Sequence, residues 1–118
     1  MDQITGKRAC LIAGGAGFIG SNLVRMMLKK GYHVVAVDDL STGRMDNISD
    51  LQGHARFDFI KADVADSGFS LVLGRRRYSQ VYHLACPTGV PNIAKLGERM
   101  LQASSAGTLN LLRIAHRF

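Results

Sequence analysis

A glycine-rich turn between a strand and a helix constrains the fold of this chain more than any other segment. It follows the apolar run 9–12 and reads Ala13-Gly14-Gly15-Ala16-Gly17-Phe18-Ile19-Gly20. A helical pattern begins within the turn and continues to Lys30. This order of strand, turn and helix predicts the first unit of a nucleotide-binding sheet, in which the N-terminus of the helix faces a pair of phosphates.

The glycines of the turn have separate predicted roles. Gly14 and Gly15 permit a tight turn with backbone angles that other residues avoid. Gly17 allows the backbone to approach a pyrophosphate, and Gly20 allows the helix to lie close to the first strand. The N–H groups of the first helical turn supply about half a positive charge. The turn is therefore a predicted dinucleotide site.

Short apolar runs alternate with helical stretches along the chain. The predicted strands cover 8–13, 33–37, 57–60 and 80–84, and the predicted helices cover 17–30, 66–73 and about 92–118. Alternating strands and helices imply right-handed crossovers and a parallel sheet. We expect an α/β fold, a Rossmann-like doubly wound sheet that is truncated after about four strands in the order 3-2-1-4. Residues 1–118 are expected to form a single, partial NAD(P)-binding domain without a substrate domain.

Helical spacing predicts which side chains face the core. Phe18 and Ile19 are expected to anchor the first helix. Its apolar face is predicted to comprise Ile19, Leu23, Met26 and Met27. In the last helix, the predicted packing stripe comprises Leu101, Ser105, Thr108, Leu112 and Ala115. Its small residues indicate close packing on the sheet.

An acidic residue, Asp38, ends the second predicted strand, 18 residues after Gly20. That spacing is close to the roughly 20 residues expected for the carboxylate that binds the adenosine ribose. A carboxylate accepts bonds from both ribose hydroxyls and repels a 2′-phosphate, so NAD is favoured over NADP. Arg44 is the alternative, because a nearby arginine can hold a phosphate; we interpret it as an exposed loop charge.

Charge and composition limit the partners. The chain has a net charge of +6, and its densest basic run, 75–77, lacks the interleaved aromatic residues of a single-strand binding face, so no nucleic-acid partner is predicted. A basic chain also suits an anionic ligand. Neither a membrane-spanning run nor a secretory signal is recognisable, so we expect a cytoplasmic protein. Scattered histidines and two cysteines, Cys10 and Cys86, predict no metal site and no disulfide framework.

Four segments carry a resemblance to a known family. They are 14–21, 38–44, Tyr82-His83-Leu84-Ala85-Cys86-Pro87 and Gly107-Thr108-Leu109-Asn110-Leu111-Leu112. The chain resembles the extended short-chain dehydrogenase/reductase family, the NAD-dependent sugar-nucleotide epimerases and dehydratases. Cys86-Pro87 after His83-Leu84-Ala85 makes the UDP-glucuronate decarboxylases the most similar subfamily.

The resemblance implies a role for each site residue. The glycine turn would hold the pyrophosphate of NAD with the N–H groups of Phe18 and Ile19, and Asp38 would bind the ribose. The remaining implied contacts are Ser41, Thr42 and Gly43 beside the ribose, Asp63 and Val64 flanking the adenine, Leu84 and Ala85 under the cofactor, and Cys86, Pro87 and Thr88 facing the sugar. From its position alone, Asp63 can equally be a loop or helix-capping aspartate.

Three residues depart from the family pattern. Ala13 replaces a threonine, Asp39 replaces an asparagine, and Ser104 replaces another asparagine. Each change removes a side-chain hydrogen bond worth roughly 0.5–1.5 kcal/mol. We therefore expect weaker NAD binding than is usual for the family, and a loop at Asp39 that repels phosphate.

The catalytic pair of the family, a tyrosine followed four residues later by a lysine, is absent. Tyr32, Tyr78 and Tyr82 are followed at that spacing by Ala36, Tyr82 and Cys86, so no catalytic residue is assigned. The expected function is NAD binding in a chain that is not catalytic by itself, with a UDP-sugar as the ligand of a complete homologue.

Other interpretations stay open. The chain can be a fragment of a longer decarboxylase, or of another epimerase or dehydratase. It can also be a non-enzymatic interaction module that pairs with a partner or a second copy through the open edge of strand four. A degenerate remnant that folds poorly is a further alternative.

Overall fold

The sheet at the centre of the molecule has the predicted topology. The computed structural model describes residues 8–74, 76–85 and 97–116. Within them, the strands are β1 (Ala9–Ala13), β2 (His33–Asp38), β3 (Phe57–Lys61) and β4 (Gln80–His83). All neighbouring pairs are parallel, and the order is β3-β2-β1-β4. The predicted α/β, Rossmann-like arrangement is confirmed, and β4 lies at one edge of the sheet.

Helices connect and cover the strands. They are α1 (Phe18–Lys29), α2 (Phe69–Leu73) and α3 (Thr108–His116), and α3 continues an α-helical stretch at 97–102 and a π-helical turn at Ala103–Gly107. α2 begins three residues later than predicted, because Asp63 folds residues 63–66 into a turn: its carboxylate accepts the N–H of Ala65 and its carbonyl accepts that of Asp66. The predicted helix start near residue 92 lies outside the described residues.

The loop predicted after β2 contains two short 3-10 helices, Met45–Asn47 and Ser49–Leu51. Ile48 between them is fully buried and packs in the same cluster as α1. The loop is therefore anchored to the body of the fold close to the glycine turn.

The core has two layers, one on each face of the sheet. Every residue of β1 is buried, which explains its nearly uniform apolar sequence. Cys10 and Ile12 pack with α1, whereas Leu11 and Ala13 pack with α3. Burial raises the pKa of the Cys10 thiol to about 12, so this side chain is an uncharged core residue.

The predicted packing face of α1 is partly wrong. The buried residues are Gly20, Ser21, Val24, Met27 and Leu28. Phe18 is 80% exposed and Ile19 is 68% exposed, so neither anchors the helix in the core. Small residues at the start of α1 bring the helix close to the turn, and the bulky side chains of that end point away from it.

The predicted stripe of the last helix is also wrong, by about two positions. Ala103, Gly107, Leu111 and Ile114 face the sheet, while Leu101 and Leu112 are 70% and 60% exposed. Gly107 allows the close approach: a Cβ atom there would lie 2.7 Å from Cγ2 of Val64. Within the described ranges, no helix has the length and apolar character needed to cross a membrane.

Candidate dinucleotide site

The glycine turn lies where β1, β2 and β4 end side by side. Gly14 has a positive φ of 86°, and both it and Gly15 donate their N–H groups to the carbonyl of Val37, at 2.7 and 3.2 Å. A Cβ atom on Gly14 would collide with the carbonyl of Leu84. The turn therefore fits against both neighbouring strands only if it carries no side chain.

Gly20 and Gly17 differ in what surrounds them. A Cβ atom on Gly20 would collide with the carbonyl of Gly14. The predicted close approach of the helix is thus to the turn itself rather than to β1. A Cβ atom on Gly17 would meet only that same carbonyl, at an ordinary 3.4 Å. Packing within the protein does not exclude a side chain at Gly17, so the position is open towards the cleft.

A cleft of about 570 Å³ opens in front of the turn, within the range of small-molecule sites. It is lined by Gly14, Gly17, Phe18, Ile19, Gly20, Thr42, His83 and Leu84. The first N–H groups of α1 have no acceptor one turn earlier in the helix, and that first turn contains no acidic residue. The cleft thus combines backbone donors, a partial positive charge and exposed apolar side chains, which suits a phosphate-bearing ligand with a ring.

Asp38 is the buried carboxylate beside this turn. It is 8% exposed, and its two oxygens accept the N–H groups of Ala16, at 3.0 Å, and Leu40, at 2.8 Å. Burial raises the pKa of Asp38, against the effect of these two hydrogen bonds and with a smaller contribution from Asp39. Gly43 makes room for it, because a Cβ atom there would lie 2.6 Å from Oδ2 of Asp38. Each oxygen keeps acceptor capacity for a hydroxyl group.

Asn47 and Arg25 hold the glycine turn and the following loop together, and sequence reasoning missed both. The Asn47 side chain donates to the carbonyl of Ala16 at 2.7 Å, and the N–H of Arg44 donates to the same oxygen at 3.0 Å. Arg25 of α1 donates to the carbonyl of Asn47 at 2.8 Å and pairs with Asp50 at 2.6 Å. No sequence signal marks these residues, because each contact links positions more than 20 residues apart.

The residues expected to flank an adenine line a separate, narrow cavity of about 20 Å³. The lining comes from the ends of β2, β3 and β4 and from the last helical stretch, and includes Asp38, Asp39, Asp63, Val64, Ala85, Arg99, Gln102 and Ala103. Asp63 is exposed and forms the turn with Ala65 described above, whereas Val64 is buried against Gly107. A volume of this size holds little more than one water molecule.

The arginine that reaches this part of the site is not the one that the sequence singled out. Arg44 pairs with Asp46 at 3.2 Å, and both side chains are largely exposed. Arg99 instead pairs with Asp39 at 3.1 Å across 60 residues of sequence. The charge of Asp39 is therefore partnered rather than left facing the site.

Two further residues lie beside these cavities. Ser41 donates its N–H and its hydroxyl to Oδ1 of Asp39, at 2.9 and 2.8 Å. His83 is partly buried, and its Nε2 lies 3.0 Å from the carbonyl of Ala103, so this nitrogen carries the proton. Cys86, Pro87 and Thr88 lie outside the described residues. Across the described part of the chain, no group of three His, Cys, Asp or Glu residues could hold a metal ion.

A parallel sheet with a glycine turn at the carboxyl ends of its strands is typical of dinucleotide-binding folds, and similarity to known proteins identifies the family. The chain belongs to the GDP-mannose 4,6-dehydratase family, whose sequence profile matches residues 11–118. This confirms the family resemblance read from the sequence.

Individual relatives give the same result. UDP-glucuronic acid decarboxylase 1 of Danio rerio is 37% identical over 111 residues, which are 94% of this chain and 25% of the relative. The epimerase Mth375 of Methanothermobacter thermautotrophicus superposes with a TM-score of 0.80 at 30% identity, covering 92% of this chain and 32% of that one. UDP-glucose 4-epimerase of Thermus thermophilus, solved in complex with NAD, has a TM-score of 0.75 at 29% identity and covers 92% and 34%. The chain thus spans about a quarter of the length of the decarboxylase.

Proposed function

We propose that this chain is the NAD-binding part of a nucleotide-sugar-modifying enzyme that resembles UDP-glucuronate decarboxylase. The observation that carries the proposal is the cleft in front of the glycine turn, with the carboxylate of Asp38 at the end of the adjacent strand. Residues 1–118 are proposed to form one partial domain. The cytoplasm is its proposed location.

The residues present fit a dinucleotide. Gly17 leaves space at the start of α1, and the N–H groups of Phe18 and Ile19 are proposed to bind the pyrophosphate. Asp38 is proposed to accept both ribose hydroxyls, with Ser41, Thr42 and Gly43 beside it. Asp63 and Val64 are proposed at the adenine, and Leu84 and Ala85 below the cofactor. A bound nicotinamide would accept a hydride from a sugar and return it.

Catalysis is not assigned to this chain. The sequence contains no tyrosine with a lysine four residues later. In a longer form of the protein, a UDP-sugar is the proposed substrate class, since the relatives named above include enzymes of UDP-glucuronic acid and UDP-glucose. A 4-epimerase is the second candidate, because the solved structures that superpose well include an epimerase with NAD.

Calorimetric titration of the purified chain with NAD and with NADP tests the proposal. We expect saturable binding that prefers NAD, because Asp38 repels a 2′-phosphate. Substitution Gly17→Ala is expected to weaken NAD binding at least about tenfold, since a methyl group there occupies the phosphate position.

Gly68→Ala is the matched control. A Cβ atom at Gly68 meets one oxygen at 3.4 Å, as at Gly17, but Gly68 begins α2 away from the cleft. Both variants should keep the thermal transition of the parent, and only Gly17→Ala should lose NAD. A folded parent chain that binds neither dinucleotide would refute the proposal and favour the interaction module.

A further inference from the structure

We propose that Arg99 sets the affinity for the adenosine end of the ligand, because its ion pair with Asp39 closes the adenosine side of the site. The proposal rests on the function proposed above. Arg99 and Asp39 thereby affect the affinity for the adenosine portion of the ligand, whereas the cleft at the glycine turn affects the affinity for its phosphates.

The ion pair joins two segments that line the narrow cavity. Nη1 of Arg99, in the helical stretch 97–102, lies 3.1 Å from Oδ2 of Asp39, in the loop after β2, and both residues line the cavity together with Asp38. Ser41 holds the other oxygen of Asp39 by two hydrogen bonds, at 2.9 and 2.8 Å. The carboxylate is thus fixed by its own loop, and Oδ2 remains available to the arginine.

The narrow cavity is too small for a purine. Its volume of about 20 Å³ approaches that of one water molecule, and an adenine ring is several times larger. A ligand that places a ribose at Asp38 and a base at Val64 must therefore widen the cavity, which separates the helical stretch 97–102 from the loop after β2. That separation breaks the contact between Arg99 and Asp39.

The last helix is anchored to the sheet and to the loop after β3 at positions beyond Arg99. The carbonyl of Ala103 is bound to His83 of β4, and Asn110 donates to the carbonyls of Val64 and Asp66, at 2.7 and 3.1 Å. Arg99 lies before these anchors, in the helical stretch 97–102. The π-helical turn Ala103–Gly107 separates it from α3, and π-helical turns are frequently found at functional sites.

The contact is weak enough to open on binding. Arg99 is 53% and Asp39 is 29% exposed, and ion pairs at such positions contribute at most about 1 kcal/mol. This corresponds to about a fivefold change in affinity. The large cleft at the glycine turn has neither residue in its lining, so a ligand bound only there does not meet this barrier.

Titration of the whole chain with ADP and with inorganic pyrophosphate separates the two sides. For Arg99→Gln, we expect the dissociation constant of ADP to fall about two- to fivefold, and that of pyrophosphate to stay constant or rise. Loss of a positive charge alone would weaken the binding of both anions. Tighter binding of ADP is therefore the opposite of what the change in charge predicts. Arg113→Gln removes the same charge from an exposed position on α3. It should leave the ratio of the two dissociation constants unchanged.

Asp39→Asn provides a second variant. It should raise the preference for ADP over pyrophosphate by a similar factor, although it changes the local charge in the other direction. If the parent chain binds NAD but the ADP preference is the same in all variants, the role of Arg99 is refuted and the proposed function stands. If the parent chain binds neither NAD nor ADP, both proposals fail.

Discussion

The glycine turn and the narrow cavity beside it are built in opposite ways. At the turn, backbone atoms form most of the contacts, and Gly14, Gly15 and Gly20 leave no room for a side chain. At the narrow cavity, single side chains join distant segments, as in Arg99 with Asp39 and Asn110 with Val64. The first region depends on the absence of side chains in one short run of sequence. The second depends on a few replaceable contacts between the last helix and the loops after β2 and β3.

The largest effect is expected from adding a methyl group at Gly20, which tests whether the turn excludes side chains. Gly20→Ala would drive Cβ into the carbonyl of Gly14, where only backbone could move aside. We expect a loss of about 3 kcal/mol or more in the free energy of unfolding, measured by denaturant titration. Gly97→Ala, where no atom of the described residues lies within 4 Å, should leave the stability nearly unchanged. Equal stability of the two variants would show that the turn accommodates a side chain at Gly20.

A second change tests the other region. Asn110→Ala removes two hydrogen bonds to the carbonyls of Val64 and Asp66 and leaves the partly buried carbonyl of Val64 without this donor. The expected loss is about 1–3 kcal/mol, visible as a lower thermal midpoint. Ser105→Ala removes only an exposed bond to its own helix and should have little effect. If both variants have the same thermal midpoint, Asn110 does not hold α3 to the loop after β3.

The smallest expected effect lies away from both regions, at Asp58 on β3. Hydrogen bonding to His33, and then to Arg76, holds the pKa of Asp58 below its usual value of 3.8, against a partial desolvation. Because the folded pKa is the lower one, the stabilisation is complete above about pH 5 and is lost as pH falls through the folded pKa. Asp58 is 54% exposed, so this is worth less than about 1 kcal/mol.

Unfolding measured between pH 6 and pH 3 should therefore show a slightly steeper loss of stability for the parent than for Asp58→Asn. Parallel profiles would mean that solvent screens the pair completely.

The same contrast explains what the sequence could predict. Strand order, the glycine turn and the position of Asp38 follow from residues that are close in sequence and have few alternatives, and the topology is as predicted. The stripe of the last helix was misplaced because the π-helical turn at Ala103–Gly107 and the small residues facing Val64 depend on the sheet below, not on helical spacing. Phe18 and Ile19 look like core residues in sequence, yet they line an open cleft.

Ion pairs between residues far apart in sequence could not be predicted. The sequence predicts that Asp39 repels phosphate, because its charge has no partner nearby in sequence. In the structure Arg99, 60 residues later, pairs with it, and nothing in the sequence distinguishes this arginine from the others. Arg44, near in sequence, points to Asp46 instead. Which cation meets which carboxylate is decided by the crossover that brings the last helix over β2, and no local pattern records it.

The reactivity of Cys10 measures how often the core opens. Its thiol is fully buried at the centre of β1 and stays protonated at neutral pH. Because only the thiolate reacts and the side chain is packed beneath α1, alkylation of Cys10 requires that this core layer first open. The rate at which Cys10 is alkylated in a folded sample therefore reports how often the layer between α1 and the sheet opens.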